Sequence, residues 1–302
     1  MELNGILIPA ATPFDPVTGE LDLVGLRSNL RRWMEHPVRG IVFCGSTGEA
    51  VLLDDDERFA LIEGGRELIP EDRLMVVGTG AESTRATIRN CRVAAGCGAD
   101  AVLVQPPAFY KGQMTDAVLR DHYTAVADGS PVPVVLYQVP LRFSTLDLGT
   151  GLVSELSTHE NVIGIKDSRG DLGLVGDLVE RTRKGFQVLV GNGARLYASL
   201  EIGAVGAILG IANLVPGESA ALHRAFTEGR TGEAGRLQER VAPVHDQIVG
   251  AFGVAGVKAA LDRLGYRGGD PRAPLRPLDD AGRTVVHAVL AQAGVQAGSD
   301  PA

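Results

Sequence analysis

Lysine is scarce in this chain: four residues among 302, against 25 arginines. Acidic and basic residues are interspersed, the net charge is −8, and no basic block occurs. That distribution argues against non-specific nucleic-acid binding. Cysteine is also rare. Cys44, Cys91 and Cys97 are odd in number and unsuitably spaced for a zinc site. Cys91 and Cys97 stand six apart on an expected helix, so they do not share a face, and all three read as reduced, mostly buried thiols. The histidines (His36, His122, His159, His223, His245, His287) are scattered, with no pair at i, i+4, so no histidine-based metal site is expected. No window approaches the length of a membrane span, and no charged leader precedes an apolar stretch at the N-terminus. A soluble, cytoplasmic protein is expected. Neither a G-x-G-x-x-G loop nor a P-loop is present.

What the chain does have is a rhythm. It is 45% hydrophobic, enough for one large core or two ordinary domains. Short apolar runs recur at Gly5–Pro9, Gly40–Cys44, Leu74–Gly78, Ala101–Val104, Pro133–Tyr137, Val162–Lys166, Phe186–Val190 and Ala204–Leu209. Helical patterns lie between them: Asp22–Glu35, Asp54–Ile69, Ser83–Gly96, Thr115–Ala127, Asp147–Ser157, Leu172–Arg183, Arg195–Ile202 and Glu218–Glu228. The acidic run Asp54-Asp55-Asp56-Glu57 sits where a helix should begin and reads as a capping cluster. The runs are apolar throughout rather than alternating, as in parallel strands covered on both faces.

Eight strand–helix units in about 230 residues match an α/β fold of the (β/α)8 TIM-barrel type. A doubly wound open sheet is the runner-up, with fewer strands and often a dinucleotide loop. Further helices are expected at Arg230–Gly250, Val254–Leu264 and Asp280–Ala293, with the Gly/Pro-rich stretch Gly265–Pro277 separating the last two. The expected organisation is a catalytic barrel over residues 1–229 and a C-terminal helical extension over 230–302, its tail Gly294–Ala302 disordered.

One of the four lysines, Lys166, ends the apolar run Asn161-Val-Ile-Gly-Ile-Lys166-Asp-Ser168. A charged amine leaving water costs several kcal/mol unless it is paired or gives up its proton. A free amine can attack a carbonyl and form a Schiff base. The bland alternative is a lysine that snorkels or pairs with Asp167.

In such barrels the site lies at the C-terminal ends of the strands, and the unusual residues collect there. After the second strand, Gly45-Ser46-Thr47-Gly48-Glu49 places two hydroxyls between glycines, a turn suited to a carboxylate or phosphate. It is equally readable as a loop whose Ser46 or Thr47 caps the next helix. Tyr110 follows the fourth strand. Tyr137 ends the fifth and can act as a proton relay or simply pack as a ring. Arg142 can fork onto a carboxylate or pair on the surface.

These motifs carry a resemblance. Gly45-Ser-Thr-Gly-Glu49, Tyr137-x-Val-Pro140 and Gly164-Ile-Lys-Asp-Ser168 resemble those of the pyruvate-dependent class I aldolase family, over nearly the whole chain from Asn4 to Leu275. That family includes dihydrodipicolinate synthases, N-acetylneuraminate lyases, 2-keto-3-deoxy sugar acid aldolases and 4-hydroxy-2-oxoglutarate aldolases. The resemblance implies roles residue by residue. Lys166 would form the imine with pyruvate, Tyr137 would shuttle the proton, and Ser46 and Thr47 would hold the pyruvate carboxylate and link into the relay. Tyr110 would be lent across a subunit interface of a homo-oligomer, commonly a tetramer built as a dimer of dimers. Ile208 would line the site. Neither metal nor organic cofactor is implied, and the partners are a small 2-oxo acid and an aldehyde.

Within the family, Lys166-Asp-Ser-x-Gly-Asp171 and Leu264-Gly-Tyr-x-Gly-Gly269 resemble 4-hydroxy-2-oxoglutarate aldolases, and Ser168 resembles a site serine of that branch. Arg142 instead matches the arginine by which synthases bind aspartate semialdehyde, while Gln138 and Phe143 match neither branch. The leading expectation is a lyase acting on a 4-hydroxy-2-oxo acid, with Arg142 favouring a distal carboxylate. The alternatives are a dihydrodipicolinate synthase, a 2-keto-3-deoxy sugar acid aldolase or dehydratase, and a catalytically silent barrel that binds an oxo acid.

Overall fold

A computed structural model describes residues 1–296. Eight parallel strands close on themselves in chain order: β1 Gly5–Pro9, β2 Gly40–Phe43, β3 Leu74–Gly78, β4 Ala101–Val104, β5 Val134–Gln138, β6 Val162–Asp167, β7 Gln187–Val190 and β8 Gly206–Ile208. β1 pairs with β2 on one side and β8 on the other, which makes the sheet the expected barrel and not an open sheet. The strands are apolar on both faces because both are buried. Leu7, Val42, Val76, Leu103, Val135 and Leu189 fill the barrel interior. Their neighbours Ile8, Ile41, Val77, Val102, Leu136 and Ile165 belong to the larger cluster that also includes the surrounding helices. Each such side chain contributes roughly 1.5–3 kcal/mol of burial.

The helices that follow the strands are α1 Leu23–Met34, α2 Asp55–Arg66, α3 Thr84–Gly96, α4 Asp116–Gly129, α5 Thr150–Leu156, α6 Leu172–Arg181, α7 Leu196–Ile202 and α8 Pro216–Thr227. Several start on a side-chain cap: Asp22, Ser83, Thr115 and Asp171 each accept from a backbone N–H in the first turn. The acidic run is a full capping box. The Asp54 carboxylate accepts from Glu57 N, and the Glu57 carboxylate accepts from Asp54 N. The helix after β5 starts at Thr150 rather than Asp147. The Gln138 side chain holds the preceding loop open, donating to Leu146 O and accepting from Leu148 N.

One register detail matters for the site. Val134 pairs with Val162 but Val135 pairs with Gly164, so Ile163 is an extra residue on β6. Beyond this slip Tyr137 pairs with Lys166. A slip of one residue exchanges the two faces of a strand. Without it, Tyr137 would sit opposite Ile165.

Past α8 come α9 Thr231–Val244, a π-helical turn His245–Gly250, α10 Ala251–Arg263 and α11 Asp280–Gln292. The sequence suggested one helix to Gly250. Pro243 changes this, because it lacks an N–H for the α-helical ladder, and the wider π turn begins two residues later. Gly253, with φ +60° and ψ −140°, kinks α10 near its start, and the helical pattern expected from Val254 lies just beyond it. Val241, Val244, Ile248, Val257, Leu261, Val286 and Leu290 join the same cluster that backs the barrel. Of the expected disordered tail, Gly294 to Gln296 are described, with Val295 buried and its N–H donating to Leu290 O. Residues 297–302 of that tail lie outside the described residues.

Candidate active site

Lys166 and Tyr137 reach the barrel mouth as register partners on adjacent strands. Lys166 is 6% exposed, and its Nζ lies 4.3 Å from the centroid of the Tyr137 ring. The Tyr137 hydroxyl is 3.2 Å from Ser46 Oγ. Three residues, from the turn after β2 and from β5 and β6, thus meet in one place. The pairing of Lys166 with Asp167 is not formed: among the described residues Lys166 makes no ion pair. Adjacent strand residues point to opposite faces. Asp167 is buried, with Oδ1 accepting from Arg169 N at 3.1 Å and Oδ2 without a hydrogen-bond partner among the described residues. Burial pushes its carboxyl up to about 6, offset in part by the N–H groups of Arg169 and Gly170.

Ser46, Thr47 and Gly48 form a single 3-10 turn. Neither hydroxyl caps α2, whose cap is Asp54. The N–H groups of Gly48, Glu49 and Ala50 close the turn onto the carbonyls of Gly45 and Ser46, and those of Ser46 and Thr47 are not used by it. Gly48 has no room for a side chain, because a Cβ would stand 2.8 Å from Ala10 O. Ser46 faces Tyr137. Thr47 faces the other way: a Cβ on Gly210, just past β8, would lie 3.5 Å from Thr47 Oγ1 and 3.3 Å from Val249 of the π turn.

Ser168 donates its N–H to Gln138 O at 3.0 Å. A Cβ at Gly191, just past β7, would meet Ser168 Oγ at 1.9 Å and Lys166 Cε at 3.1 Å. Only glycine at 191 lets the Ser168 hydroxyl and the Lys166 stem share that space. Ile208 is buried in the barrel interior with Tyr137, Val139 and Leu189. Arg142 is committed differently from the sequence expectation. Its Nη1 donates to Val249 O and Gly250 O, both at 3.0 Å, so it braces the π turn. Partial burial lowers its guanidinium from the usual value, and the nearby Tyr137 opposes that. Tyr110 stands apart from the group. It is 70% exposed and packs edge-on against Phe109, which is 78% exposed.

His245 faces the loop after β7, its Nδ1 accepting from Gly193 N at 3.3 Å. Burial holds its imidazole down at about 4, hence neutral at ordinary pH. Among the described residues no three His, Cys, Asp or Glu side chains gather as for a metal ion, and no helix is long and apolar enough to cross a membrane.

Sequence reasoning missed the support behind these residues. The Glu49 carboxylate and Lys258 ammonium form a wholly buried ion pair of 2.8 Å. Lys258 carried the same signal as Lys166, a rare lysine in an apolar stretch, Gly253-Val-Ala-Gly-Val-Lys258. Asn213 was also missed. Its side chain ties Ala11 N and Pro9 O of the first strand end to Gly210 O, closing the barrel where Thr47 points.

The arrangement offers an amine, a phenol and hydroxyls at one barrel mouth, a set suited to carbonyl chemistry. Residues 2–293 match the model of the dihydrodipicolinate synthetase family. The chain belongs to that family. A 4-hydroxy-tetrahydrodipicolinate synthase of Exiguobacterium is 32% identical over 91% of this chain and 92% of its own length. A probable mitochondrial 4-hydroxy-2-oxoglutarate aldolase of Emericella nidulans is 35% identical over 89% of this chain and 88% of its own. Among solved structures, the prophage protein YagE of E. coli in complex with pyruvate superposes with a TM-score of 0.91 at 27% identity, covering 98% of this chain and 100% of that one. Membership makes this family member an enzyme of the lyase and aldolase class.

Proposed function

We propose that this enzyme is a class I aldolase that cleaves or forms a 4-hydroxy-2-oxo acid through an imine between Lys166 and pyruvate. The observation that carries the reading is the contact set of Lys166 Nζ on the Tyr137 ring and Tyr137 Oη on Ser46 Oγ. In the cleavage direction the Lys166 amine attacks the C2 carbonyl, and water leaves to give a protonated imine. The imine withdraws electrons from the C3–C4 bond. A base removes the C4 hydroxyl proton, the bond breaks, and an aldehyde departs from the enamine. Protonation at C3 and hydrolysis then release pyruvate and restore the amine. Tyr137, linked to Ser46, moves these protons. The Ser46–Thr47 turn, whose own bonds leave the Ser46 and Thr47 N–H groups aside, holds the carboxylate. Ser168, pressed against Lys166 through Gly191, touches the second half of the substrate. Ile208 lines the floor. No further cofactor enters these steps.

With 4-hydroxy-2-oxoglutarate the aldehyde would be glyoxylate; Arg142 braces the π turn through Nη1 alone, and its other N–H groups would face such a distal carboxylate at the rim. The same arginine supports a second reading, condensation of pyruvate with aspartate semialdehyde. Residues 1–229 would be the catalytic unit and the helices beyond an added layer. We place Tyr110 at a subunit contact of a dimer of dimers. Four exposed apolar side chains on two neighbouring loops, Phe109, Tyr110, Leu141 and Phe143, support this. Parallel assays with each substrate, one reading pyruvate release and one reading pyruvate consumption, test the choice. Turnover of 4-hydroxy-2-oxoglutarate well above the semialdehyde reaction is expected, and the reverse ranking would select the synthase.

A further inference from the structure

Glu49 ends the hydroxyl motif, yet none of the proposed chemistry uses it. Its backbone is left-handed, φ +59° and ψ +33°. Cys44, at φ +52°, lies on the other side of the same loop. Among the described residues these are the only non-glycine positions with positive φ. Such conformations persist where the surroundings over-determine them, and they collect at functional sites.

The surroundings of Glu49 do over-determine it. Oε1 accepts from Lys258 Nζ at 2.8 Å, and Oε2 accepts from Arg272 N at 2.7 Å. Lys258 Nζ also donates to Thr12 O at 2.8 Å, and Thr12 Oγ1 donates to Gly48 O at 2.8 Å. Both charged side chains are wholly buried. Burial lowers the Lys258 ammonium from its usual value, and Glu49 beside it works against that. Apolar pairs of similar volume often replace buried ion pairs without loss of stability. Apolar contacts are non-directional, whereas this network fixes the last two residues of the loop from two sides. One side is the end of β1. The other is α10 and the segment after it.

We infer that Glu49 and Lys258 are positioning residues that hold Ser46 and Thr47 in place for the carboxylate of the 2-oxo acid, so that helix α10 sets affinity for the first substrate. This rests on the proposed function. The network does not touch Lys166 directly. Disturbing it therefore weakens capture of the carboxylate while leaving imine formation itself intact.

The test is labelling of Lys166 in the full-length protein with cyanoborohydride, mapped by mass spectrometry. Two carbonyl probes are compared: pyruvate, and acetone, which has a methyl in place of the carboxylate. The variants are Glu49→Gln, Lys258→Met, the double variant, and Thr12→Val, which keeps the ion pair but loses the hydroxyl on Gly48 O. The half-saturating pyruvate concentration is expected to rise about tenfold in the charge variants, roughly the loss of one or two hydrogen bonds to the carboxylate. Thr12→Val should show a smaller rise, and acetone labelling should not change. Unaltered half-saturation by pyruvate, even with a lowered Tm, overturns the inference, as does an equal loss with acetone. Where the charge variants do not fold, Thr12→Val decides alone. A wild-type protein that pyruvate never labels at Lys166 overturns the proposed function and this inference with it.

Discussion

Two lysines are buried in this protein, and their surroundings are opposite. Lys258, behind the hydroxyl loop, is wholly enclosed and gives its ammonium protons to the Glu49 carboxylate and the Thr12 carbonyl. Lys166, at the mouth, has the Tyr137 ring, the Ser168 side chain beside its stem and, among the described residues, no ion pair. An amine committed to a carboxylate has no lone pair to offer a carbonyl. The difference teaches that burial of a lysine says little about reactivity until its partners are named. Enclosure with an anion makes a strut, and enclosure without one leaves the amine uncommitted, as the imine proposed for Lys166 requires.

The largest expected effect separates the two directly. Lys166→Ala should reduce turnover below detection with the fold and Tm retained. Lys166→Arg should fail as well, because a guanidinium stays protonated and cannot form an imine. Either variant turning over near the wild-type rate would break the comparison. Tyr137→Phe should lower kcat by about 10²–10⁴-fold, the usual worth of a positioned acid–base group. A silent, binding-only barrel would barely respond in pyruvate affinity, so the kcat assay sharpens the enzymatic side.

Lys258→Met should lower stability as well as pyruvate affinity. Removing one member of a buried pair typically costs about 3–5 kcal/mol, readable by denaturant unfolding. Labelling of Lys166 at saturating pyruvate should survive in whatever fraction folds. Replacing Glu49 and Lys258 together should recover much of that stability, since no charge is then stranded.

The smallest effect concerns Asp167, which shares its strand with Lys166 but not its face. Its carboxyl is raised from 3.8 to about 6 by burial. In that window the folded chain holds the proton more tightly than the unfolded chain, so the group's contribution to stability falls as pH rises through about 6. Asp167→Asn should therefore be more stable than wild type above that pH, by at most roughly 3 kcal/mol, and no more stable well below the lower value. His245 runs the other way. Held near 4, it favours folding above 6.5 and loses that as pH falls toward 4. Thermal unfolding of variant and wild type at two pH values separates the two.

Much of the barrel was legible because its strands are apolar on both faces and each is followed by a helix with a readable cap, as at Ser83 and Thr115. The same legibility placed Ser46, Tyr137 and Lys166 at strand ends. What could not be read was non-local. The extra residue Ile163 that brings Lys166 opposite Tyr137 leaves no mark in composition. The Glu49–Lys258 pair joins residues 209 apart in sequence. The need for glycine at 191 arises only once Ser168 lies against it. Arg142 looked free to bind an anion, and its commitment to the π turn depends on a bulge that follows Pro243.

The most direct measurement is borohydride reduction of the intact protein in the presence of pyruvate, followed by peptide mapping of both buried lysines. The account predicts a reduced pyruvyl adduct on Lys166 and an unmodified Lys258. Folded protein with no adduct, or an adduct on Lys258 instead, would contradict it.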